Sequence, residues 1–446
     1  MGSSIAALSK EIALIWQAGL SAIVWGPPGI GKSASIKALA GKQKFTVPRN
    51  DSVAACSQRL AAVYGAEHTG RPVFDVRLVL CAPNDLKGIP VYDTEDKKAV
   101  WVMSGMFPTS ADRLASMERM LVGLTEVPHD ERQPSHSARV ATLESEIHSA
   151  LLAQHGVIFL DEITQAPPAV QAAAFSLVLD RTINEYRVPK WVDIVAASNR
   201  LNDGSMTNKM PTALRSRFVH LEVDTPNLDE FEEYAFTAGF EPDVIGYLRF
   251  HPDHLFKFDP RNLRGENAEM AEITFPCPRS WEFASRLIKG ARSMKSEDDT
   301  LERVLAGAVG NGAAIQFIAW RGLYRKLPDC ELVLRGELRR RDISFTRKDQ
   351  TTGEDVNDMS MEYTYIMECF QRVLALDCAP ETEQATSRID NFLRFTLDST
   401  NSSVDWGALI FKKVHNSDNK IALAMKKRPA FREIATTMLK DGTLFA

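Results

Sequence analysis

The chain has 446 residues, of which 44% are hydrophobic and 25% are charged, and its formal net charge is −5. This length allows two or three domains with a large core, and the composition is ordinary for a globular protein. The acidic balance argues against a general nucleic-acid binder, which would usually be basic.

The cysteines and the apolar runs indicate the compartment. The six cysteines are scattered, and no two of them form a CxxC pair. This pattern argues against a zinc site or a disulfide framework and favours a reducing, cytoplasmic environment. Lys10 and Glu11 interrupt the first apolar run, which makes it a poor signal peptide. No run is long enough to span a membrane, so we expect no membrane insertion.

Short apolar runs alternate with helical patterns over the first half of the chain. An amphipathic helix is predicted at 8–18, and further helices are predicted at 33–42 and 167–180. Five strands are predicted, at 21–26, 72–80, 156–163, 191–199 and 218–223. This alternation predicts an α/β fold with a mostly parallel, five-stranded sheet covered on both faces.

The pattern becomes helical after this α/β core. We place the core at 1–225, a helical domain at 226–336, and a polar linker with a mostly helical C-terminal region at 337–446. Two insertions lie within the core: a strand–turn–strand segment at about 85–107, and a polar, helical segment at about 108–152.

The stretch GPPGIGKS at 26–33 lies between a predicted strand and a predicted helix. Its glycines let the backbone curl so that N–H groups point inward, and the helix N-terminus directs its dipole toward a phosphate. Lys32 would reach the β- and γ-phosphates, and Ser33 would offer its hydroxyl to Mg²⁺. The alternative is a Gly/Pro turn that binds nothing. The predicted nucleotide-binding residues are Gly26, Pro27, Pro28, Gly29, Ile30, Gly31, Lys32, Ser33 and Ala34.

Polar residues follow two later strands. Asp161 and Glu162 end the run VIFLDE, and the carboxyl ends of parallel strands form sites at one edge of a sheet. Asp161 would hold Mg²⁺ together with Ser33, and Glu162 would polarise the attacking water. Asn199 would orient that water. The alternatives are an Asp-Glu pair that caps the next helix and an asparagine that only forms a turn.

Three arginines are further candidates. Arg279 follows Pro278 in the first turn of a helix, where the dipole disfavours a cation unless a phosphate lies nearby. The alternative is an exposed arginine paired with Glu282. Arg215 and Arg217 lie two residues apart, where a helix is predicted to give way to a strand.

With these motifs in hand, residues 20 to about 325 resemble an AAA+ ATPase, and they are most similar to the MoxR-like branch. Members of that branch are often encoded beside proteins with a von Willebrand factor A domain. The motifs that carry the resemblance are GPPGIGKS, IFLDE, AASNR, PTALRSRFVHLEV and PRSWE. The segment 108–152 is longer than expected for this branch, and the residues after 337 match less well.

The resemblance implies a P-loop AAA+ core with a five-stranded sheet, a helical lid, bound ATP with Mg²⁺, and a hexameric ring. It implies that the hairpins at 85–107 and 181–189 point toward the ring pore. It also implies that Arg217, by its match to SRF, completes the neighbouring subunit's site as an arginine finger. Arg215 is a second candidate. The alternative is that both arginines pair with surface carboxylates.

The leading hypothesis for function is an ATP-driven factor that remodels or matures a protein client, with a von Willebrand factor A-domain protein as its adaptor. A nucleic-acid-dependent motor is the second hypothesis, favoured by Lys87, Lys97 and Lys98 and by the arginines at 335 and 339–341. Interleaved acidic residues argue against it. A non-catalytic nucleotide switch is the third, although none of the expected site residues is missing.

Overall fold

The structure is a computed structural model of the chain. It describes residues 3–93, 98–128, 130, 133–200, 208–258, 274–294, 298–348, 355–398, 406–415, 417 and 419–440. These residues divide into two compact units. The first runs to Glu230, and the second comprises Phe231–Phe258 and the described residues from 274 onward.

The first unit contains a five-stranded sheet. The strands of this unit are β1 (Ser21–Trp25), β2 (Lys44–Thr46), β3 (Glu67–Thr69), β4 (Val73–Arg77), β5 (Ile89–Asp93), β6 (Lys98–Val102), β7 (Val157–Asp161), β8 (Thr182–Ile183), β9 (Tyr186–Arg187), β10 (Asp193–Ser198) and β11 (Phe218–Glu222). The sheet order is β11-β1-β10-β7-β4, and each of its pairings is parallel. The predicted α/β class with a five-stranded parallel core is therefore confirmed.

The central strands are apolar because both faces of the sheet are covered. Ala22, Ile23 and Val24 of β1 are fully buried, and so are the residues 157–160 of β7. A parallel strand buried on both faces is expected to show such a continuous apolar run. The strand predicted at 72–80 is shorter, because β4 ends at Arg77 and a 3₁₀ turn follows that buries Leu78.

Helices cover the sheet and carry the loops of the first unit. They are α1 (Ile5–Gln17), α2 (Lys32–Lys42), α3 (Asp51–Cys56), α4 (Gln58–Ala61), α5 (Pro83–Lys87), α6 (Ala111–Glu126), α7 (His136–Ala153), α8 (Pro168–Leu179) and α9 (Thr212–Arg215). Helix α8 begins with Pro168 at its first position, where the missing N–H has no intrahelical partner to lose. Its buried face packs into the main core beside β7 and β10.

The two insertions have defined forms. Strands β5 and β6 pair antiparallel, and their turn at 94–97 lies outside the described residues. Ile89 and Tyr92 of β5 are 68% and 64% exposed. Helices α6 and α7 pack against each other and share a second core with α3, α4 and β2. The buried members of that core are Val47, Val53, Leu60, Val63, Tyr64, Leu114, Leu121, Leu143, Ile147, Ala150 and Leu151.

Arg71 joins the amino-terminal ends of β7 and β10. Its guanidinium donates to the carbonyls of His155 (2.6 Å), Gly156 (3.0 Å) and Trp191 (3.0 Å). It also pairs with Asp193 at 2.6 Å, and both side chains of this pair are largely buried. The bonds to His155 and Trp191 satisfy carbonyls just before the two strands, whereas the Gly156 carbonyl also accepts from the N–H of Asp193 at 3.2 Å.

We expect the first unit to lose stability as the pH falls toward 4, because His155 is buried as a neutral ring. It is stacked between Phe45 and Trp191, and burial, followed by the charge of Arg71, lowers the pKa of His155 to about 4. The unfolded imidazole takes up its proton near pH 6.5. Between these pH values the unfolded state binds more protons than the folded state. The free energy of unfolding therefore falls by up to about 3 kcal/mol as the pH is lowered from 6.5 to 4.

Urea unfolding over this pH range checks the expectation. His155→Phe keeps the stacking and removes the titration, so its unfolding free energy should depend less on pH than that of the wild type. His148→Phe on α7 is the control and should keep the wild-type dependence. Equal slopes for the wild type and His155→Phe would contradict the assignment.

The second unit is mostly helical. Its helices are α10 (Leu228–Thr237, which crosses the boundary), α11 (Pro242–Phe250), α12 (Pro278–Met294), α13 (Asp298–Val309), α14 (Asn311–Tyr324), α15 (Cys330–Leu334), α16 (Met359–Leu374), α17 (Glu383–Leu397), α18 (Trp406–His415), α19 (Lys420–Met425) and α20 (Pro429–Lys440), and its strands are β12 (Thr346–Lys348) and β13 (Asp355–Asn357). Helices α11 and α16 cross closely at Gly246, where an added Cβ would lie 1.7 Å from the hydroxyl of Thr364. The described chain therefore has an α/β P-loop core with a helical extension.

The stretch predicted as a polar linker from 337 onward differs from that expectation. The side chain of Arg340 is only 6% exposed and donates to Glu362 of α16 at 2.7 Å. Strands β12 and β13 then pair antiparallel. Because a buried ion pair is costly to break, Arg340 fixes this stretch to α16 rather than leaving it solvated.

A cavity of about 350 Å³ lies within the second unit, lined by charged side chains. Arg321 pairs with Asp243 at 2.6 Å, and Arg372 pairs with Asp329 and Glu368 at 2.7 Å each. Carboxylates that line the cavity therefore neutralise these two guanidiniums. Among the described residues, none of the helices has both the length and the hydropathy needed to cross a membrane.

Candidate nucleotide-binding site

The loop between β1 and α2 requires glycine at several positions. Gly29 and Gly31 have φ values of 78° and 95°, which side chains rarely adopt. A Cβ on Gly26 would lie 2.9 Å from the carbonyl oxygen of Val223. Gly31 is the N-cap of α2 and has no side chain. The N–H groups of the first turn therefore face the loop without a side-chain acceptor. This is the arrangement that binds a phosphate.

The side chain of Lys32 spans the loop. Its ammonium donates to the carbonyls of Gly26 (2.7 Å) and Pro27 (2.9 Å), and to Oδ1 of Asn199 (3.0 Å). Lys32 therefore joins the P-loop to the end of β10. A bound triphosphate would take the place of some of these acceptors, since an ammonium has three protons to donate.

Ser33 and Asp161 form the acidic side of the site. The Ser33 hydroxyl donates to Oδ2 of Asp161 at 3.0 Å, so the helix after the P-loop and the end of β7 meet here. A hydroxyl and a carboxylate oxygen are the hard ligands that Mg²⁺ prefers, and Mg²⁺ usually keeps waters and substrate phosphates as its other ligands. The pair fits a magnesium ion held between protein and phosphate. No cluster of three or more His, Cys, Asp or Glu ligands occurs among the described residues.

Glu162 has an unusual backbone. Its φ is 56°, in the left-handed region, and its N–H donates to Oδ1 of Asp161 at 3.0 Å. A non-glycine residue in this region costs on the order of 1–3 kcal/mol and persists where the surroundings impose it, often at functional sites. Within the described part of the chain, its carboxylate has neither a hydrogen bond nor an ion pair. It is therefore available to a water molecule.

The amide of Asn199 can be oriented from its partner. Lysine only donates, so the atom that faces Lys32 at 3.0 Å must be the oxygen. The NH₂ group then points away from Lys32, and no described residue accepts from it. Asn199 can thus fix Lys32 with one atom and donate to a water or phosphate oxygen with the other.

The remaining predicted loop residues shape the site. Pro27 and Ile30 are buried, Pro28 is half-buried, and Ala34 is exposed on the first turn of α2. Ile30 is 1% exposed and anchors the loop in the core, so its role is packing. Ala34 follows the metal-ligand candidate Ser33.

Arg215 and Arg217 lie at the end of α9, before β11. Both side chains are exposed. Neither guanidinium makes a hydrogen bond or an ion pair with any described residue, and the bonds of these two residues are made by their backbone atoms. Surface pairing within this chain, the alternative weighed from the sequence, does not occur among the described residues.

Arg279 lies in the second unit, in the first turn of α12, and is exposed. Its suggested partner Glu282 instead pairs with Arg286 and accepts from the hydroxyl of Tyr234 at 3.4 Å. The Glu282 alternative for Arg279 is therefore wrong. Arg279 makes no ion pair with another described residue.

Three contacts around the site have no sequence signal. The buried hydroxyls of Thr164 and Ser198 hydrogen-bond, which joins the turn after β7 to β10. Arg200 lies 3.6 Å from Glu222, the last residue of β11, and 3.7 Å from Asp224, two residues further on. The ring of His220 hydrogen-bonds to the indole of Trp25 and to the carbonyl of Arg215. The Thr164–Ser198 and Trp25–His220 contacts join residues that are 34 and 195 positions apart, so no local motif marks them.

Comparison with known proteins gives distant likenesses. No protein-family model matches the chain, and no curated protein matches it. A protein of Cytophaga hutchinsonii described as an ATPase is 12% identical, with a TM-score of 0.30, over 65% of this chain and 63% of that protein. The present chain thus spans less than two thirds of that protein's length.

Two further structures are similar at the same level. NtrX from Brucella abortus in complex with ADP is 14% identical over 72% of this chain and 69% of NtrX, with a TM-score of 0.27. The Orc1 protein of Aeropyrum pernix, in complex with DNA, is 16% identical over 88% of this chain and 82% of Orc1, with a TM-score of 0.27. These likenesses are too distant to assign an activity or a partner. The proposals below therefore rest on the geometry of the site.

Proposed function

We propose that the chain is a magnesium-dependent ATPase of the AAA+ class. The observation that carries the proposal is the convergence of Lys32, Ser33, Asp161 and Asn199 at the carboxyl ends of β1, β7 and β10. These residues come from three segments of the chain and supply a cation, a metal-ligand pair and a neutral amide. A triphosphate needs this combination.

The residues have separate roles in the proposed reaction. The P-loop and the α2 N-terminus hold the phosphates, and Lys32 neutralises their charge. Mg²⁺, held by Ser33 and Asp161, would offset charge on the β- and γ-phosphate oxygens. Glu162 accepts a proton from the attacking water, which Asn199 orients. Arg279 is proposed to contact the phosphates, the role that the family resemblance implies for it.

Arg217 is proposed to act in a neighbouring subunit of a ring, with Arg215 beside it. The support is that both arginines are exposed and have no side-chain partner among the described residues. A guanidinium offered to the next subunit would stabilise charge on the transferred phosphoryl group. A hexamer is the ring size that the family resemblance implies.

We further propose that the ring is MoxR-like and acts on a protein client, through a von Willebrand factor A-domain adaptor. The β5–β6 and β8–β9 hairpins support this proposal. The side-chain amide of Asn184, in the β8–β9 turn, donates at 2.8 Å to the carbonyl of Lys87, which ends α5 two residues before β5. The β8–β9 turn thus contacts the segment that leads into the β5–β6 hairpin. Ile89 and Tyr92 on β5 are exposed, and such apolar surface suits a protein client better than a phosphate backbone.

A nucleic-acid-dependent motor is the second candidate. Orc1 is a distant neighbour solved with DNA, but the basic residues of this chain give the motor little support. Arg340 is buried against Glu362, and Arg335 lies 3.5 Å from Glu331. Lys97 lies outside the described residues. ATPase rates with and without single-stranded DNA at several salt concentrations test it, because strong stimulation that salt suppresses would favour the motor.

Lys32→Ala should weaken ATP binding by about 10- to 100-fold or more, because it removes a charge-assisted bond to the phosphates. Isothermal titration calorimetry with Mg-ATP measures the loss. Lys37→Ala is the matched control five residues along α2, where the exposed pair with Asp75 should contribute little. If Lys32→Ala binds ATP like Lys37→Ala, the P-loop assignment is wrong.

A further inference from the structure

His220 connects two elements that the motifs do not link. It lies on β11, and the indole N–H of Trp25, at the end of β1, donates to its Nδ1 at 2.9 Å. The two rings are nearly parallel, with an interplanar angle of 7° and centroids 5.9 Å apart. On its other side, Nε2 lies 2.7 Å from the carbonyl oxygen of Arg215.

These partners fix the state of the imidazole. The indole N–H can only donate, so Nδ1 carries no proton and accepts. The carbonyl can only accept, so Nε2 carries the proton and donates. His220 is thus a neutral ring that uses both nitrogens, one for each neighbour.

The two neighbours are significant for the proposed reaction. Trp25 directly precedes Gly26, the first residue of the P-loop. Arg215 is the last residue of α9, a helix of only four residues, and Arg217 follows two positions later. A helix this short has little stability of its own, so its end needs a tertiary contact to hold it.

We propose that His220 is a positioning residue that holds the carboxyl end of α9, with Arg215 and Arg217, against the strand that leads into the P-loop. This inference rests on the proposed function, in which Arg217 serves the neighbouring subunit. His220 is not among the residues proposed to bind the nucleotide or the metal. It limits where the exposed arginines lie, and well-placed groups gain rate through reduced freedom.

The test measures whether the arginines of one subunit support ATP hydrolysis at the site of another. Subunits with Arg217→Ala keep an intact site and lack a finger, whereas subunits with Lys32→Ala offer a finger and lack a working site. Mixing them should give ATPase activity, which sets the reference. The Lys32→Ala subunit, which donates the finger, is then made with His220→Leu as well. The ATPase rate of this mixture should be about 10-fold below the reference, because two hydrogen bonds are lost. The ATP dissociation constant of the Arg217→Ala partner stays the same.

A conservative variant separates positioning from general damage. In the donor, His220→Gln carries an acceptor and a donor on one amide, and it should restore most of the rate that His220→Leu loses. If Leu and Gln donors give the same rate, high or low, the inference is overturned. Should the Leu donor fail to fold, Trp25→Phe removes the indole N–H and leaves a smaller aromatic ring beside His220. A Trp25→Phe donor that gives the full reference rate would also overturn it.

The outcomes distinguish this inference from the proposed function. If the parent mixture of Arg217→Ala and Lys32→Ala is inactive, action of Arg217 in trans is wrong. If that mixture is active and the His220→Leu donor performs equally, only the positioning role fails.

Discussion

Glu162→Gln should bind Mg-ATP as tightly as the wild type and hydrolyse it about 100- to 10,000-fold more slowly. The amide keeps the size of the carboxylate and cannot accept the proton of the attacking water. Because glutamine is also a non-glycine residue, the left-handed backbone at this position, with φ of 56°, stays equally strained. The variant therefore changes the chemistry of one group while its placement stays the same.

Single-turnover hydrolysis, with enzyme in excess over ATP, measures this effect apart from product release. Calorimetry gives the affinity of the same sample. Glu185→Gln, on the exposed turn between β8 and β9, is the matched control and should hydrolyse ATP at the wild-type rate. Full turnover by Glu162→Gln would remove the general-base role. The inactive variant would also hold a client in the ATP state, so mass spectrometry of co-purified proteins could identify that client or its adaptor.

Arg217→Ala should lower ATP turnover by about 10³- to 10⁵-fold, the range known for arginine fingers in GTPases, with ATP affinity little changed. The physical reason is that the guanidinium acts on charge that develops only during phosphoryl transfer. Mixing this variant with Lys32→Ala subunits should recover part of the activity, because some mixed interfaces join an intact P-loop to an intact arginine. Steady-state ATPase assays over a series of mixing ratios give the recovered fraction.

Two comparisons make the result specific. Arg59→Ala, on an exposed position of α4, should leave turnover unchanged. Arg215→Ala, tested in the same mixtures, shows which arginine is the finger. A loss of ATPase rate equal to that of Arg217→Ala would assign the role to both arginines. A mixture as inactive as each variant alone would contradict action in trans.

Local patterns predicted the sheet and the P-loop because their signals lie within a few neighbouring residues. The run around Ala22, Ile23 and Val24 is apolar since it is buried on both faces, and the glycines at 29 and 31 are needed for positive φ. Strands β2 and β3 were not predicted. Each has three residues that are exposed or half-buried, so no apolar run marks them.

The contacts that complete the site could not be predicted from the sequence, because they depend on which strands become neighbours. Thr164 meets Ser198 only after β7 has paired with β10, and Trp25 meets His220 only after β1 has paired with β11. The sequence also suggested a solvated linker where Arg340 is buried. The sequence alone does not distinguish an arginine that faces water from one that pairs with a buried carboxylate such as Glu362.

The bonds of Arg71 have a consequence for folding kinetics. This guanidinium contacts residues that are 84 and 120 positions further along the chain. Closing such long loops costs entropy that local contacts do not repay, and folding slows as the sequence separation of contacts grows. The end of the sheet opposite the P-loop can therefore assemble only after β7 and the start of β10 have been synthesised and paired. A nascent chain that ends before residue 193 lacks the partners that hold Arg71, so we expect the first unit to fold only once that much of the chain is available.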